Sequence, residues 1–168
     1  MSITFDPVQF KSTTRAQWEN AAEAWHRWDP TIESWLGSAT EIMLDDVGVT
    51  TGSRVLDVAA GAGGQTLAAA HRAGPTGEVL ATDISPAILE FARQAAQDAG
   101  LSNVRTLEAD GENLSAVEEG AYDCAISRVG LIYFPDQLAA LAEMCRALRP
   151  GGRVSAVVYS TPDRKSVV

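Results

Sequence analysis

The stretch VLDVAAGAGGQT, residues 55–66, decides which fold this chain can adopt. It begins with an apolar run typical of a buried strand, continues into a loop with three glycines, and leads into residues 67–73, which have helical spacing. Glycines between a parallel strand and a helix let the backbone approach a ligand closely, while the first N–H groups of the helix point at that ligand. The stretch therefore predicts the first strand of an α/β fold with a binding loop at its carboxyl end.

Outward from this stretch, five short β-like runs alternate with stretches of helical spacing. The runs cover residues 54–59, 78–82, 104–108, 122–127 and 153–159. One helix is well marked, because Ser85 and Pro86 suit the N-cap and first helical position and Gly100 suits the stop. Strands alternating with helices form βαβ units and a parallel sheet covered on both faces. We therefore predict an α/β fold with a doubly wound, mostly parallel sheet of about five strands.

Residues 1–49 have helical spacing and contain all four tryptophans, Trp18, Trp25, Trp28 and Trp35. The rings suit two interpretations, which can hold for different rings. They are packing anchors of the N-terminal helices, or they belong to a lid whose aromatic side chains close over a ligand. We predict an N-terminal helical lid or cap over residues 1–49 and a doubly wound core over residues 50–168.

Length and composition fit a single globular domain and exclude several classes of protein. The chain has 168 residues, and its 13 basic and 22 acidic residues give a net charge of −9, which disfavours nucleic acid and anionic membrane surfaces as partners. Its longest run without charged residues or histidine, residues 58–70, is too short to span a bilayer. The two cysteines, Cys124 and Cys145, are too few for a disulfide framework. We expect a soluble, cytoplasmic protein without a metal site.

The glycine loop and two acidic residues indicate a nucleoside site. Gly61 and Gly63 match the opening of a dinucleotide-binding fingerprint, but Thr66 stands at its third glycine position and weakens the case for NAD. Asp83 ends the second predicted strand, where a carboxylate can accept hydrogen bonds from both ribose hydroxyls. Asp110 follows the third strand, where it could accept a bond from an exocyclic amino group.

Each acid also has a purely structural interpretation. Asp83 could cap the helix that begins near Ser85, and Asp110 could stabilise the turn at Gly111. The carboxyl-end rim of an open α/β sheet is where ligands bind. Three rim positions in chain order therefore make a nucleoside site the stronger interpretation.

The sequence resembles the class I S-adenosylmethionine-dependent methyltransferases, and in pattern their ubiquinone/menaquinone C-methyltransferase-like group. The resemblance covers roughly residues 50–160 and includes VLDVAAGAGGQT (55–66), ATDIS (81–85), EADGENL (108–114), YDCAISRVGLIYFPD (122–136) and ALRPGGRV (147–154). It implies a Rossmann-like methyltransferase core that binds S-adenosylmethionine. The cofactor site it implies consists of Asp57, Ala59, Gly61, Gly63, Thr66, Asp83, Ile84, Asp110, Gly111, Ser127 and Arg128.

The family's roles carry over position by position. Asp57 would orient the loop, Asp83 would hold the ribose with Ile84 against the adenine face, and Asp110 and Gly111 would meet the adenine edge.

The remaining positions would serve the methionine part of the cofactor. Residues 59–63 would cradle it, and Thr66 would add a hydroxyl contact. Ser127 and Arg128 would lie near the methionine moiety and the methyl group, although Arg128 also suits a plain surface position.

The resemblance implies a methyltransferase acting on a small organic molecule, and it assigns no catalytic residue. His26, beside Trp25, is a candidate base, and Tyr133 is a candidate substrate contact or core residue. Two alternatives stay open: a cofactor-binding module or subunit that needs a partner for catalysis, and a nicotinamide-dependent reductase. The methyl acceptor is not readable from these residues.

The chain ends soon after the fifth predicted strand, with about nine residues remaining. Family members normally continue with a helix and an antiparallel hairpin, so we expect a core that lacks the usual C-terminal strands. An apolar edge strand is prone to pairing. We therefore expect self-association as a homodimer through the fifth-strand region.

Overall fold

A computed structural model describes residues 5–159 of the chain. Two helices come first, α1 (Pro7–Arg27) and α2 (Asp29–Val47). The core then follows as β1 (Arg54–Val58), α3 (Gly64–Ala73), β2 (Glu78–Asp83), α4 (Pro86–Asp98), β3 (Val104–Glu108), β4 (Tyr122–Arg128), α5 (Gln137–Ala147) and β5 (Leu148–Val157), with a 3-10 turn over Gly130–Tyr133.

The five strands form one sheet in the order β3-β2-β1-β4-β5, and every neighbouring pair is parallel. The chain builds the sheet outward from β1 in one direction and then returns to add β4 and β5 on the other side. The strand order therefore reverses between β1 and β4, which is where open α/β sheets bind ligands. The predicted fold class, a doubly wound parallel sheet of five strands, is confirmed.

Alternate side chains of the strands form two apolar layers. On one face, Val55 and Val79 pack with Met43 and Leu44 of α2 and with the alanines of α3. On the other face, the cluster joins strand residues to α5 and the segment before β4: Leu56, Val58, Leu80, Leu114, Ala125, Met144 and Ala147. Because β1 is buried on both faces, its carboxyl end holds a fixed position from which the loop after it departs.

The first helices form as the sequence predicts. Asp6 caps α1 by accepting hydrogen bonds from the backbone N–H of Val8 (2.9 Å) and Gln9 (3.1 Å). The α2 helix ends at Gly48, whose φ of 73° is a left-handed conformation that glycine adopts without strain. That these helices act as a lid stays a prediction.

The packing-anchor interpretation, which could hold for some of the rings and not others, fails for two of the four tryptophans. Trp28 and Trp35 are 56% and 76% exposed. Trp18 is half-buried, and its indole meets that of Trp25 edge-on with ring centroids 5.1 Å apart. Helical spacing alone does not determine which of the rings on a helix point toward the core.

Strand β5 lies at one edge of the sheet in the described residues. Its faces are partly covered, since Val157 packs beside the α2 cluster and Val154 beside the α5 cluster. Self-association through this region stays a prediction. No helix among residues 5–159 is long and apolar enough to cross a membrane.

The chain leaves β1 through a strained residue. Ala59 has a φ of 59°, and Val129, just after β4, has a φ of 64°. Such left-handed conformations cost an L-residue roughly 1–2 kcal/mol and are uncommon for a β-branched side chain. Strain of this kind concentrates at functional sites.

We expect Ala59→Gly to raise the free energy of unfolding by about 0.5–1 kcal/mol. The gain is the relief of the left-handed strain, reduced by the greater chain entropy that glycine has when unfolded. Urea denaturation measures it. Ala60→Gly is the control: Ala60 has no positive φ and is 2% exposed, so that variant should lose stability. Equal losses from both substitutions would contradict the assignment of strain to Ala59.

Candidate functional site

A cleft opens at the carboxyl ends of β1, β2 and β4, beneath α1 and the start of α2. Its walls are mostly apolar, and a few charged groups converge on it. The lining includes Lys11, Thr14, Trp18, Trp25, Ile32, Leu36, Ala59, Ala60, Gly61, Gln65, Asp83, Ile84, Ile88, Ala109, Asp110, Gly111, Arg128, Val129, Gly130, Tyr133, Phe134, Pro135 and Tyr159. An apolar cleft with a few placed polar groups is the usual form of a small-molecule site.

The floor beneath the glycine loop is organised by Asp57, whose side chain is fully buried. Its carboxylate accepts a hydrogen bond from the Thr66 hydroxyl (2.5 Å) and another from Gln65 Nε2 (3.2 Å). The same Gln65 amide nitrogen donates to the carbonyl oxygen of Ala60 (3.2 Å). Asp57 thereby fastens the start of α3 to β1 and fixes the path of the loop between them. Burial raises its pKa to about 6, although the Thr66 and Gln65 hydrogen bonds oppose the rise.

Asp83 holds the loop from the cleft side. One carboxylate oxygen accepts from the backbone N–H of Gly61 (3.0 Å), and the other accepts from the backbone N–H of Ser85 (3.0 Å). The cap of α4 is Ser85, whose hydroxyl accepts from Ile88 N (3.4 Å), so Asp83 does not serve as that cap. Burial raises the pKa of Asp83. A carboxylate can accept about four hydrogen bonds, so Asp83 keeps acceptor capacity for a ligand.

Asp110 takes part in a turn and in an ion pair that ties α1 to the core. Its Oδ1 accepts from the backbone N–H of Glu112 (2.9 Å), which is the turn-stabilising role predicted as one alternative. Its Oδ2 pairs with Lys11 Nζ (2.7 Å), and the same ammonium pairs with Glu112 (2.6 Å). Burial alone would lower the pKa of Lys11, but the hydrogen bonds to these two carboxylates raise it overall.

Gly111 gives the cleft a flat apolar surface beside Asp110. A Cβ at this position would come within 2.5 Å of the Phe134 ring, so the ring packs directly on the glycine backbone. Ile84, on the neighbouring strand end, also lines the cleft.

Arg128 is buried, which corrects the alternative that it is a surface residue. Its side chain is 5% exposed and pairs through Nη1 with Glu33 of α2 (2.5 Å). The same nitrogen donates to the hydroxyl of Thr40 (3.0 Å). The guanidinium therefore lies in the wall between β4 and α2 at a fixed position.

Three aromatic rings enclose the mouth of the cleft. Trp18 packs edge-on against Trp25 and against Tyr133, with ring centroids 5.1 Å and 5.2 Å apart. The Trp25 indole nitrogen lies 3.6 Å from where a Cβ of Gly61 would be, so this ring covers the glycine loop. His26 stacks on Phe91, with ring centroids 4.6 Å apart, and is not part of the lining. Its position gives no support to a role as base.

Seven of the eleven predicted site residues line the cleft: Ala59, Gly61, Asp83, Ile84, Asp110, Gly111 and Arg128. The other four lie beneath it. Gly63 backs onto Ala92 of α4, and Asp57 lies under the loop. The Thr66 hydroxyl donates to Asp57, and its contact with a ligand stays a prediction. The buried Ser127 Oγ has no hydrogen-bond partner among residues 5–159.

The sequence reasoning missed the cleft residues of the N-terminal helices other than the tryptophans. Lys11 and Glu33 lie 99 and 95 positions from their partners Asp110 and Arg128. No local pattern relates residues so far apart, because the pairing depends on how α1 and α2 dock on the sheet. Gln65, in contrast, could have been identified as a site residue from the sequence, because it lies within the loop stretch of residues 55–66.

The raised pKa of Asp57 makes stability depend on pH. An aspartate in an unfolded chain titrates near about 4, so the native state binds a proton between about pH 4 and pH 6 that the unfolded state does not. Stability from this group is therefore present at low pH and is lost as pH rises through about 6. Asp57→Asn should remove that dependence.

The free energy of unfolding of Asp57→Asn minus that of the unmodified chain is expected to increase by about 2–3 kcal/mol from pH 4 to pH 7. Urea titrations at intervals across that range measure it. A difference that stays constant with pH would show that Asp57 does not titrate there.

Comparison with known proteins gives consistent matches to one enzyme family. A sequence model of the ubiE/COQ5 methyltransferase family matches residues 36–167. The ubiquinone/menaquinone biosynthesis C-methyltransferase UbiE of Pseudomonas savastanoi pv. phaseolicola is 39% identical over 119 residues, which are 70% of this chain and 46% of the relative. The chain spans about half the length of the curated relatives it matches.

Solved structures agree on the fold. A SAM-dependent methyltransferase from Aquifex aeolicus superposes with a TM-score of 0.68 at 20% identity, over 97% of this chain and 78% of the other. The arsenic(III) S-adenosylmethionine methyltransferase CrArsM of Chlamydomonas reinhardtii is 33% identical, with a TM-score of 0.60 over 64% of this chain and 39% of the other. Since the family match covers most of the chain, the protein belongs to the ubiE/COQ5 methyltransferase family.

Proposed function

We propose that this chain forms the S-adenosylmethionine site of a methyltransferase that acts on a small organic molecule. The observation that carries the proposal is the position of Asp83, at the end of β2 and in one cleft with the glycine loop and Asp110. A carboxylate with spare acceptor capacity beside a close-approach loop is what a ribose diol requires. The apolar walls on either side suit a nucleoside base.

The nucleoside half of the cofactor fits between β2 and the segment after β3. Asp83 would accept from the ribose hydroxyls, and Ile84 would lie against the adenine face. Asp110 and Gly111 would meet the adenine edge, with the Phe134 ring packed on Gly111. Lys11 already occupies one oxygen of Asp110, so an adenine amino group would share that carboxylate with it.

The amino-acid half fits over the loop. Gly61 and Ala59 line the cleft there, and Arg128 supplies a buried positive charge nearby. Thr66 and Asp57 would act from below, by holding the loop in the conformation that the ligand meets.

S-adenosylmethionine supplies, when bound, a methyl group already activated by a sulfonium centre. What remains for the protein is to orient the acceptor in line and to exclude water. Trp18, Trp25 and Tyr133 form the enclosure that can do so. Among the described residues of the cleft, none is identified as a general base, and we assign no catalytic residue.

An organic acceptor suits the cleft better than arsenic(III). Arsenic(III) is a soft centre that favours thiolate ligands, and the two cysteines of the chain are not in the lining. Cys124 is buried in the sheet, and burial raises its pKa to about 12; Cys145 lies exposed on α5. The UbiE relative is named as a C-methyltransferase of ubiquinone and menaquinone biosynthesis, so a carbon atom of a quinone-type molecule is the leading class of methyl acceptor.

The remaining alternatives gain no specific support from the structure. Family membership favours an enzyme over a non-catalytic module, although activity of this chain by itself is part of the proposal. A cytoplasmic location, the exclusion of nucleic acid and a homodimer through the β5 region stay predictions.

We expect the chain to bind S-adenosylhomocysteine and not NAD. Asp83 and Asp110 follow successive strands, an arrangement that suits a nucleoside with a short amino-acid tail. NAD is disfavoured because Thr66, bonded to Asp57, stands where a dinucleotide-binding loop has its third glycine. Isothermal calorimetry with each ligand measures both affinities. Micromolar binding of NAD with no heat from S-adenosylhomocysteine would overturn the proposal.

Asp83→Ala should weaken S-adenosylhomocysteine binding by roughly 10- to 150-fold, because two hydroxyls lose a charged acceptor. Glu78→Ala is the matched control on the same strand. Glu78 pairs with Arg54 and Arg105 at the opposite end of β2, away from the cleft. The control should bind almost normally. If Asp83→Ala weakens S-adenosylhomocysteine binding by less than about threefold, Asp83 only makes its observed bonds with Gly61 and Ser85 and does not hold the ribose.

A further inference from the structure

An ion pair between Arg128 and Glu33 lies inside the cleft wall. Arg128 comes from the end of β4 and is 5% exposed, whereas Glu33 comes from α2 and is 33% exposed. The distance between Nη1 and Oε1 is 2.5 Å. A second bond, from Nη1 to the Thr40 hydroxyl, holds the guanidinium independently of Glu33.

This pair rests against Gly64, the first residue of α3. A Cβ on Gly64 would come 2.7 Å from Arg128 Nη2 and closer still to the carboxylate of Glu33. The N-cap residue of α3, Gly63, offers no side chain to the first N–H groups of the helix. A buried guanidinium and the N-terminus of a helix, side by side, both stabilise a negatively charged group that lies between them. In this structure the negative charge at that position belongs to Glu33.

S-adenosylmethionine carries a carboxylate on the part that we place over this loop, so the inference rests on the proposed function. Two carboxylates cannot both make the close bond to Nη1 and share the same small volume without strong repulsion. We propose that Glu33 competes with the carboxylate of the cofactor for Arg128, and that Glu33 leaves the guanidinium when the cofactor binds.

The surroundings make such an exchange workable. Glu33 is on the more exposed side of the pair and can turn to solvent, while Thr40 keeps Arg128 in place. Asp29 of the same helix is close enough that Glu33 helps to raise its pKa, after burial as the larger cause. A third carboxylate would add to this repulsion and favour the departure of Glu33. The apparent affinity for S-adenosylmethionine is then the intrinsic affinity multiplied by the fraction of molecules in which Arg128 is not paired with Glu33.

The test compares S-adenosylmethionine with decarboxylated S-adenosylmethionine, since the two ligands differ only in the carboxylate. Calorimetry on Glu33→Gln should show S-adenosylmethionine binding tightened by roughly fivefold or more. Decarboxylated S-adenosylmethionine should bind with unchanged or weaker affinity, because a cationic ligand gains nothing from the loss of a carboxylate. Glu33→Ala, which removes the competitor completely, should tighten S-adenosylmethionine at least as much.

Asp46→Asn is the matched control. It removes the same charge from an exposed position of α2 outside the cleft lining, where the backbone carbonyl accepts a hydrogen bond from Arg153. It should change the affinities for the two ligands by similar, small factors. Arg128→Gln should weaken S-adenosylmethionine and reduce the difference between the two ligands.

The outcomes separate the two proposals. If Glu33→Gln binds S-adenosylmethionine equally or more weakly than the unmodified chain, competition by Glu33 is overturned and the cofactor site stands. If neither the unmodified chain nor any Glu33 variant binds S-adenosylmethionine or its decarboxylated form, the proposed function fails and this inference fails with it.

Discussion

The buried carboxylate of Asp57 joins β1 to α3, and the shape of the cleft depends on that connection. Thr66 and Gln65 donate to it from the first turn of the helix, and Gln65 extends the network to the carbonyl of Ala60. From the opposite side, Asp83 accepts the N–H of Gly61. The loop is therefore held between carboxylates of two neighbouring strands. Burial raises the pKa of both acids, so folding carries an electrostatic cost to place them there.

The features that reduce the stability of this fold are concentrated around the cleft. Ala59 and Val129 have left-handed backbone, and both line it. The buried guanidinium of Arg128, paired with the partly exposed Glu33, lies at the end of β4. The hydroxyl of Ser127, which has no partner among the described residues, lies at the same strand end. Burying polar groups and straining backbone reduce stability, and proteins retain such features mainly at sites that bind or react. Their coincidence at one cleft supports the location of the site independently of sequence similarity.

The sequence determined the parts of the molecule that local patterns control. The strands, the cap of α4 at Ser85 and the rim positions of Asp83 and Asp110 follow from periodicity, turn chemistry and the rule that parallel strands end at one edge. The contacts of Lys11 with Asp110 and of Glu33 with Arg128 were not predictable, because they depend on the docking of two helices nearly 100 positions away. The resemblance implies a ligand contact for Thr66, but the sequence does not specify which way its hydroxyl faces, and in the structure the hydroxyl donates to Asp57.

The central proposal is that the cleft holds the nucleoside of S-adenosylmethionine against Asp83. A crystal structure of the chain with S-adenosylhomocysteine tests it most directly. We expect ribose hydroxyls within hydrogen-bond distance of the Asp83 carboxylate and the adenine between Ile84 and the Gly111 backbone. A ligand bound elsewhere, or one in this cleft whose ribose does not reach Asp83, would contradict it.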